Sequence, residues 1–146
     1  MGDGRWAMGD GRRATNFGSL DYIGFSESLF SQYSFFVDST VFHEFGHNWD
    51  EQSENPFINQ FRSISDWDRT RDPGDTLSGD GFWWYNDTPD DFFRSYATTN
   101  PREDYAVSFA YYFRNEIGDY VYDSATGPTP AKFDNIERFL NTLGTA

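Results

Sequence analysis

Cysteine is absent from the 146-residue chain. Its absence excludes disulfide bridges, thiolate metal ligands and cysteine nucleophiles. Long apolar runs are absent too, so the sequence predicts no membrane span. The N-terminal stretch Met1 to Arg5 lacks the apolar region of a signal peptide. We therefore interpret the chain as a mature or excised part of a longer precursor, which leaves room for flanking domains.

Basic residues are scarce, with 11 Lys and Arg against 24 Asp and Glu, and Lys132 is the only lysine. Nucleic acid and anionic membrane surfaces need a basic face, so neither is expected as a partner. A net charge of -13 suits a protein that works outside the cell, and we expect secretion. The acidic surface either favours basic or extended substrates or serves only solubility.

Aromatic residues make up 21% of the chain, which predicts a folded core built largely from rings. Residues 1–19, rich in Gly, Asp and Arg, predict a loop or arm, and residues 20–146 predict one domain. Two aromatic-rich stretches, Leu20–Phe25 and Tyr33–Val37, predict short strands. The cluster Phe82–Tyr85 interrupts an acidic loop, and it either lines a substrate pocket or forms a hydrophobic plug over a cleft.

Helix-start signals predict a predominantly helical α+β fold. Asn100 followed by Pro101 is a strong signal, since it supplies an N-cap and a proline at the first helical position. The predicted helices begin at Asp38, near Pro56, at Asn100 and at Thr129. The last one carries an apolar stripe that is expected to face the core: Phe133, Ile136, Leu140 and Leu143.

The sequence His43-Glu44-Phe45-Gly46-His47 is an HExxH motif on the first of these helices. Residues four apart lie on one helical face, so both imidazoles can reach a single zinc ion, and Glu44 can hold a water beside it. Val41, Phe45 and Trp49 follow a separate stripe, which predicts one solvent-facing chemical side and one buried side. Gly46 lies on neither side and predicts the close approach of another element.

A catalytic zinc site needs a third protein ligand. The protein has only two histidines and no cysteine, so this ligand must be Asp or Glu. The metzincin extension is excluded because Asp50 and Ser53 stand where Gly and His are required. Glu103 lies at the edge of the apolar side of the helix after Asn100, whereas Asp104 points away from it. Glu103 is therefore either the third zinc ligand or part of a capping box with Asn100.

Residues 38–143 resemble the gluzincin zinc metallopeptidases, the family that includes the anthrax lethal factor protease domain. The resemblance is carried by the HExxH motif and by a second pattern: Tyr, three residues, Asn, two residues, Glu, one residue, an aromatic residue and Ala. Tyr96, Asn100, Glu103, Tyr105 and Ala106 meet that pattern. It implies a zincin-like metalloprotease domain. The region before His43 is too short for a full zincin sheet, so we expect a reduced N-terminal sheet.

The resemblance also implies roles for individual residues. His43, His47 and Glu103 would bind Zn²⁺, Glu44 would be the general base, and Tyr96 would stabilise the transition state. The implied activity is zinc-dependent hydrolysis of a peptide or protein substrate. Without the resemblance, Tyr96 would be interpreted as another aromatic residue of the core.

One position departs from the family pattern. Val107 stands where thermolysin-like relatives carry an Asp that orients a zinc-bound histidine. Asp50, Asp104 or a backbone carbonyl are the remaining candidates for that role. Two alternatives to an endopeptidase therefore stay open. One is a non-catalytic zincin-like binding module that uses acidic, aromatic-rich loops, and the other is a zinc hydrolase acting on a non-peptide amide.

Overall fold

Four helices dominate the computed structural model of the chain, which has a mostly helical α+β fold. The structure describes residues 6–7, 13–17, 22–25, 34–50, 56–86, 92–116 and 129–143. The helices are α1 (Ser34–Asp50), α2 (Pro56–Ile64), α3 (Pro101–Glu116) and α4 (Thr129–Leu143), and a short 3₁₀ helix spans Ser95–Thr99. No described helix has both the length and the apolar character that crossing a membrane requires.

The strands form two small antiparallel sheets. The first has the order β1 (Trp6–Ala7), β2 (Arg13–Phe17) and β3 (Tyr22–Phe25), and β2 lies against α1. The second pairs β4 (Thr76–Leu77) with β5 (Trp84–Tyr85). The small N-terminal sheet agrees with the predicted α+β class, and β3 confirms the strand predicted within Leu20–Phe25.

Two local predictions for the N-terminal third were wrong. Strands β1 and β2 lie within residues 1–19, where a loop or arm was expected. Residues Ser34–Val37 belong to α1, although the aromatic stretch Tyr33–Val37 predicted a strand. Aromatic and β-branched residues favour strands only weakly, and packing decides the outcome. Here the helix begins before the Asp38 start signal. The division between residues 1–19 and 20–146 stays a prediction.

Helix α3 is the centre of the fold. The Asn100 side chain caps it, since its Oδ1 accepts hydrogen bonds from the backbone N–H groups of Arg102 and Glu103, both at 3.0 Å. This confirms the predicted N-cap. Helices α1, α2 and α4 and the 3₁₀ helix all contact α3. Consequently α3 is buried around most of its circumference, and Asp104, which was predicted to point away from the core, is fully buried.

The apolar core lies between α2, α3 and α4. Its centre consists of buried residues from all three helices: Ile58, Phe61, Tyr105, Phe109 and Ile136. Leu140 packs against this cluster, and Phe133 is buried as its stripe predicted. Leu143 is 42% exposed, so its assignment to the core was wrong. Leu143 lies in the last turn of α4, one turn beyond the buried Phe139, whose ring packs against Trp49.

An ion pair is buried where α3 meets α4. Lys132 Nζ lies 2.7 Å from Oδ1 and 2.9 Å from Oδ2 of Asp104. The indole N–H of Trp67 donates to Asp104 Oδ2 at 3.0 Å. Burial raises the pKa of Asp104, while Lys132 acts in the opposite direction. The pair joins the central helix to α4 and to the loop after α2.

Gly46 lets α1 approach α3 at van der Waals distance. A Cβ at this position would lie 2.7 Å from the backbone Cα of Ala106 and 3.1 Å from Phe109 Cβ. A separation of 2.7 Å is too short for two carbon atoms, and the obstructing atom is backbone. The predicted close approach at Gly46 is confirmed. It brings the HExxH turn of α1 beside the first turns of α3.

Replacing Gly46 by Ala is expected to lower the free energy of unfolding by about 1–3 kcal/mol, because overpacking must push α1 away from α3. The gain of about 1 kcal/mol in helix propensity acts in the opposite direction. Urea denaturation measures the difference. Alanine at the exposed Asn59 of α2 is the control and should change stability by less than about 0.5 kcal/mol. A Gly46→Ala protein more stable than wild type would contradict the close packing.

Candidate metal centre

Helix α1 places the two histidines one turn apart and turns both toward α3. The Nε2 atoms of His43 and His47 are 3.1 Å apart. Their rings meet edge to face, with centroids 4.6 Å apart. Both residues are only 3% exposed. The spacing of four residues therefore directs two nitrogen lone pairs to one buried point.

Glu103 completes the group from the first turn of α3. Its Oε2 lies 3.2 Å from His43 Nε2 and 3.3 Å from His47 Nε2, and the residue is fully buried. The sequence left Glu103 between a zinc ligand and a capping box. In the structure Asn100 caps the helix, while the Glu103 carboxylate faces the histidine pair.

The three donor atoms fit one metal ion. They form a triangle with sides of 3.1, 3.2 and 3.3 Å. In a tetrahedral zinc site with bonds of about 2.0–2.1 Å, neighbouring ligand atoms lie about 3.3–3.4 Å apart. Two imidazoles and one carboxylate are also the ligand set of a known class of catalytic zinc sites. The buried group of His43, His47 and Glu103 could therefore hold a metal ion.

Burial and mutual hydrogen bonds shift the pKa values of all three residues. Burial lowers the pKa of His43 to about 4, so its imidazole is neutral near pH 7. Burial opposes ionisation of Glu103, but hydrogen bonds to His43 and His47 prevail and lower its pKa to about 2. Burial likewise opposes protonation of His47, yet the hydrogen bond to Glu103 raises the pKa of that imidazole. Metal binding would compete with protonation of His47, because a metal ligand must be the neutral imidazole.

Glu44 directly follows His43 on α1 and is buried. Its side chain projects from the helix axis at about 100° to that of His43. Burial raises the pKa of its carboxyl, and the His47 side chain acts against the shift. A raised pKa suits a group that must take up a proton and release it again. The predicted division of α1 into a wet side and a buried side was wrong, since Glu44 is buried and Phe45 is 42% exposed. The chemical side is the one that packs against α3.

Tyr96 lies in the 3₁₀ helix next to the histidines. Its ring centroid is 6.0 Å from that of His43, and the guanidinium carbon of Arg94 is 5.1 Å from the tyrosine ring centroid. The side chain is half-buried. Burial, together with the facing Glu103 carboxylate, raises the pKa of the Tyr96 hydroxyl. The hydroxyl therefore keeps its proton near pH 7 and can donate a hydrogen bond.

The Nδ1 atoms of the two histidines have no orienting hydrogen bond from a described residue. Neither His43 Nδ1 nor His47 Nδ1 has a hydrogen-bond partner within the described ranges. Asp104 was one candidate for orienting a histidine, but its carboxylate is bound by Lys132 and Trp67. The Asp50 side chain lies outside the described residues.

A cleft of about 460 Å³ opens onto the candidate centre. Residues from α1, α2, the segment between α2 and β4, the β4–β5 loop and the start of α3 line it: His47, Arg62, Arg69, Asp80, Trp83, Asn100, Arg102 and Glu103. Motif reasoning missed its three arginines. Only Arg102 carried a local signal, because it directly precedes the candidate ligand Glu103. Arg62 and Arg69 belong to no sequence motif, and only the tertiary structure brings them to the cleft.

The aromatic cluster Phe82–Tyr85 is divided between different environments. Trp83 lines the cleft. Tyr85 is buried and packs against Trp67 and Phe92, with ring centroids 4.9 and 5.0 Å away. Phe82 is 68% exposed. The four residues therefore do not form one continuous plug.

Comparisons with protein-family models, with curated proteins and with solved structures return no match to this chain.

Proposed function

We propose that this protein is a zinc-dependent endopeptidase with a zincin-like, gluzincin-type active site. The observation that carries the proposal is the buried triangle of His43 Nε2, His47 Nε2 and Glu103 Oε2, with sides of 3.1–3.3 Å. Glu44 and Tyr96 stand beside it. A structural metal site would not need a carboxylate of raised pKa next to the ligands, whereas hydrolysis needs a base there.

Each side chain has a distinct task in this mechanism. Bound Zn²⁺ would lower the pKa of a water molecule, which makes that water a better nucleophile once it loses a proton, and would polarise the peptide carbonyl. Glu44 accepts the proton of the attacking water and later delivers it to the leaving amine. The Tyr96 hydroxyl donates a hydrogen bond to the carbonyl oxygen as negative charge develops there. His43, His47 and Glu103 would hold the ion.

A non-catalytic zincin-like binding module is the second candidate. The observation that favours it is the lack of described partners for His43 Nδ1 and His47 Nδ1, with Val107 at the position of the family's orienting Asp. Loosely oriented imidazoles bind metal less tightly.

A hydrolase of non-peptide amides would use the same groups, and substrate tests separate it from a peptidase. We propose that the protein acts on peptides outside the cell.

Zinc content and chelator-sensitive digestion of an unstructured protein test the proposal together. We expect about one zinc ion per chain and digestion that stops when chelator is added. Replacing Glu103 by Ala should lower zinc affinity by more than about 10- to 100-fold, the usual effect of losing an outer partner of a ligand. Glu116→Ala, at an exposed position of the same helix, is the control. Zinc binding without digestion would favour the binding module, and unchanged affinity in Glu103→Ala would contradict the ligand assignment.

A further inference from the structure

Positive charge is concentrated in the cleft of a strongly acidic protein. Three of the 11 basic residues of the chain, Arg62, Arg69 and Arg102, line the cleft next to His47 and Glu103. We propose that this cleft is a substrate subsite that selects peptides with an acidic side chain, Asp or Glu, close to the scissile bond. The inference rests on the proposed peptidase function and adds its substrate class.

Trp83 holds two of the guanidinium groups at the cleft wall. The guanidinium carbon of Arg69 lies 3.7 Å from a Trp83 ring centroid, and that of Arg62 lies 5.5 Å away. The Arg69 guanidinium also donates to the carbonyl oxygen of Phe82 at 3.2 Å. Stacking on an indole restricts a long side chain without using all five of its N–H donors. Arg69 is therefore held in place and keeps donors for a ligand.

Arg102 brings the third positive charge to the metal ligands. Its position directly before Glu103 sets it at the N-terminal turn of α3, where it lines the cleft together with His47. The Asp80 carboxylate in the lining has its own partners, since Oδ1 accepts from Ser78 Oγ at 2.6 Å and from the Phe82 N–H at 3.0 Å. The lining thus carries three guanidinium groups against the two carboxylates of Asp80 and Glu103. A bound divalent ion would add two more positive charges.

An acidic side chain is the group that this lining fits. Guanidinium groups bind carboxylates with paired, charge-assisted hydrogen bonds. The volume of about 460 Å³ accommodates a peptide side chain with its flanking backbone. The overall charge of -13 left open a preference for basic substrates, but the described lining of the cleft holds more guanidinium groups than carboxylates.

Two internally quenched peptide pools test the inference. The pools have equal length and mixed flanking sequence, with Asp and Glu at the centre of one and Lys and Arg at the centre of the other. For the zinc-loaded protein at low salt we expect kcat/KM to be about 10- to 100-fold higher for the acidic pool. The double variant Arg69→Glu with Arg102→Glu should bring this ratio to one or below. Arg71→Glu with Arg138→Glu makes the same charge change at exposed residues outside the cleft lining and should keep the preference.

Binding without turnover separates this inference from the proposed function. Fluorescence anisotropy of labelled peptides from each pool is measured with chelator present. Tighter binding of acidic peptides that depends on Arg69 and Arg102, with no cleavage by the zinc-loaded protein, would support the subsite and reject the peptidase. Cleavage with equal or greater rates for the basic pool would overturn the subsite and leave the peptidase standing. Equal binding of both pools without cleavage would overturn both.

Discussion

Replacing Glu44 by Gln is expected to leave zinc bound and to lower kcat by about 10²- to 10⁴-fold, the usual contribution of a positioned general base. Gln has nearly the same shape, so the packing of this buried side chain is kept. It cannot accept a proton, so the attacking water loses its base. Zinc content and peptide hydrolysis are measured on the same preparation.

Glu137→Gln, at an exposed position of α4, is the matched control and should hydrolyse at the wild-type rate. Undiminished turnover in Glu44→Gln would contradict the assignment of Glu44 as the base. If zinc were lost as well as activity, Glu44 would belong to the metal-binding group rather than to the proton-transfer step.

Replacing Lys132 by Met is expected to lower the free energy of unfolding by about 3–5 kcal/mol, because Asp104 would remain as a buried carboxylate without its ionic partner. Met keeps an unbranched side chain of similar length, so lost packing contributes little. Lys132 and Asp104 are both fully buried, and two contacts of 2.7 and 2.9 Å join them. Urea denaturation followed by far-UV circular dichroism measures the change.

The double variant Lys132→Met with Asp104→Leu should recover much of that loss, because replacing a buried ion pair by apolar residues is often close to neutral. The double-mutant cycle isolates the coupling between the two side chains. A loss below about 1 kcal/mol in the single variant would show that the pair is far more hydrated than the structure indicates.

Local sequence patterns predicted the helical part of the fold. Asn100 and Pro101 mark the start of α3 because an N-cap and a proline act within one turn, where no distant contact is needed. The HExxH spacing brings His43 and His47 to one face for the same reason. The lack of cysteine and of further histidines narrowed the third ligand to Asp or Glu, and the place of Glu103 at the edge of an apolar helix face, together with the family pattern, made it the candidate.

Features that depend on tertiary packing were not predictable. Which side of α1 is buried depends on where α3 lies. The spacing of Val41, Phe45 and Trp49 predicted that Phe45 is buried, but its side chain is exposed. The helical wheel placed Asp104 on the outer side of α3, and the burying contact with Lys132, 28 residues further along the chain, has no local signal. The cleft arginines come from separate segments, so no local spacing connects them.

Anomalous scattering at the zinc absorption edge, recorded from crystals of the zinc-loaded protein, tests the central claim most directly. The account predicts one strong peak within about 2.0–2.2 Å of His43 Nε2, His47 Nε2 and a Glu103 carboxylate oxygen. A peak bound by the two histidines while Glu103 points elsewhere would contradict the three-ligand centre. So would zinc held entirely by other residues.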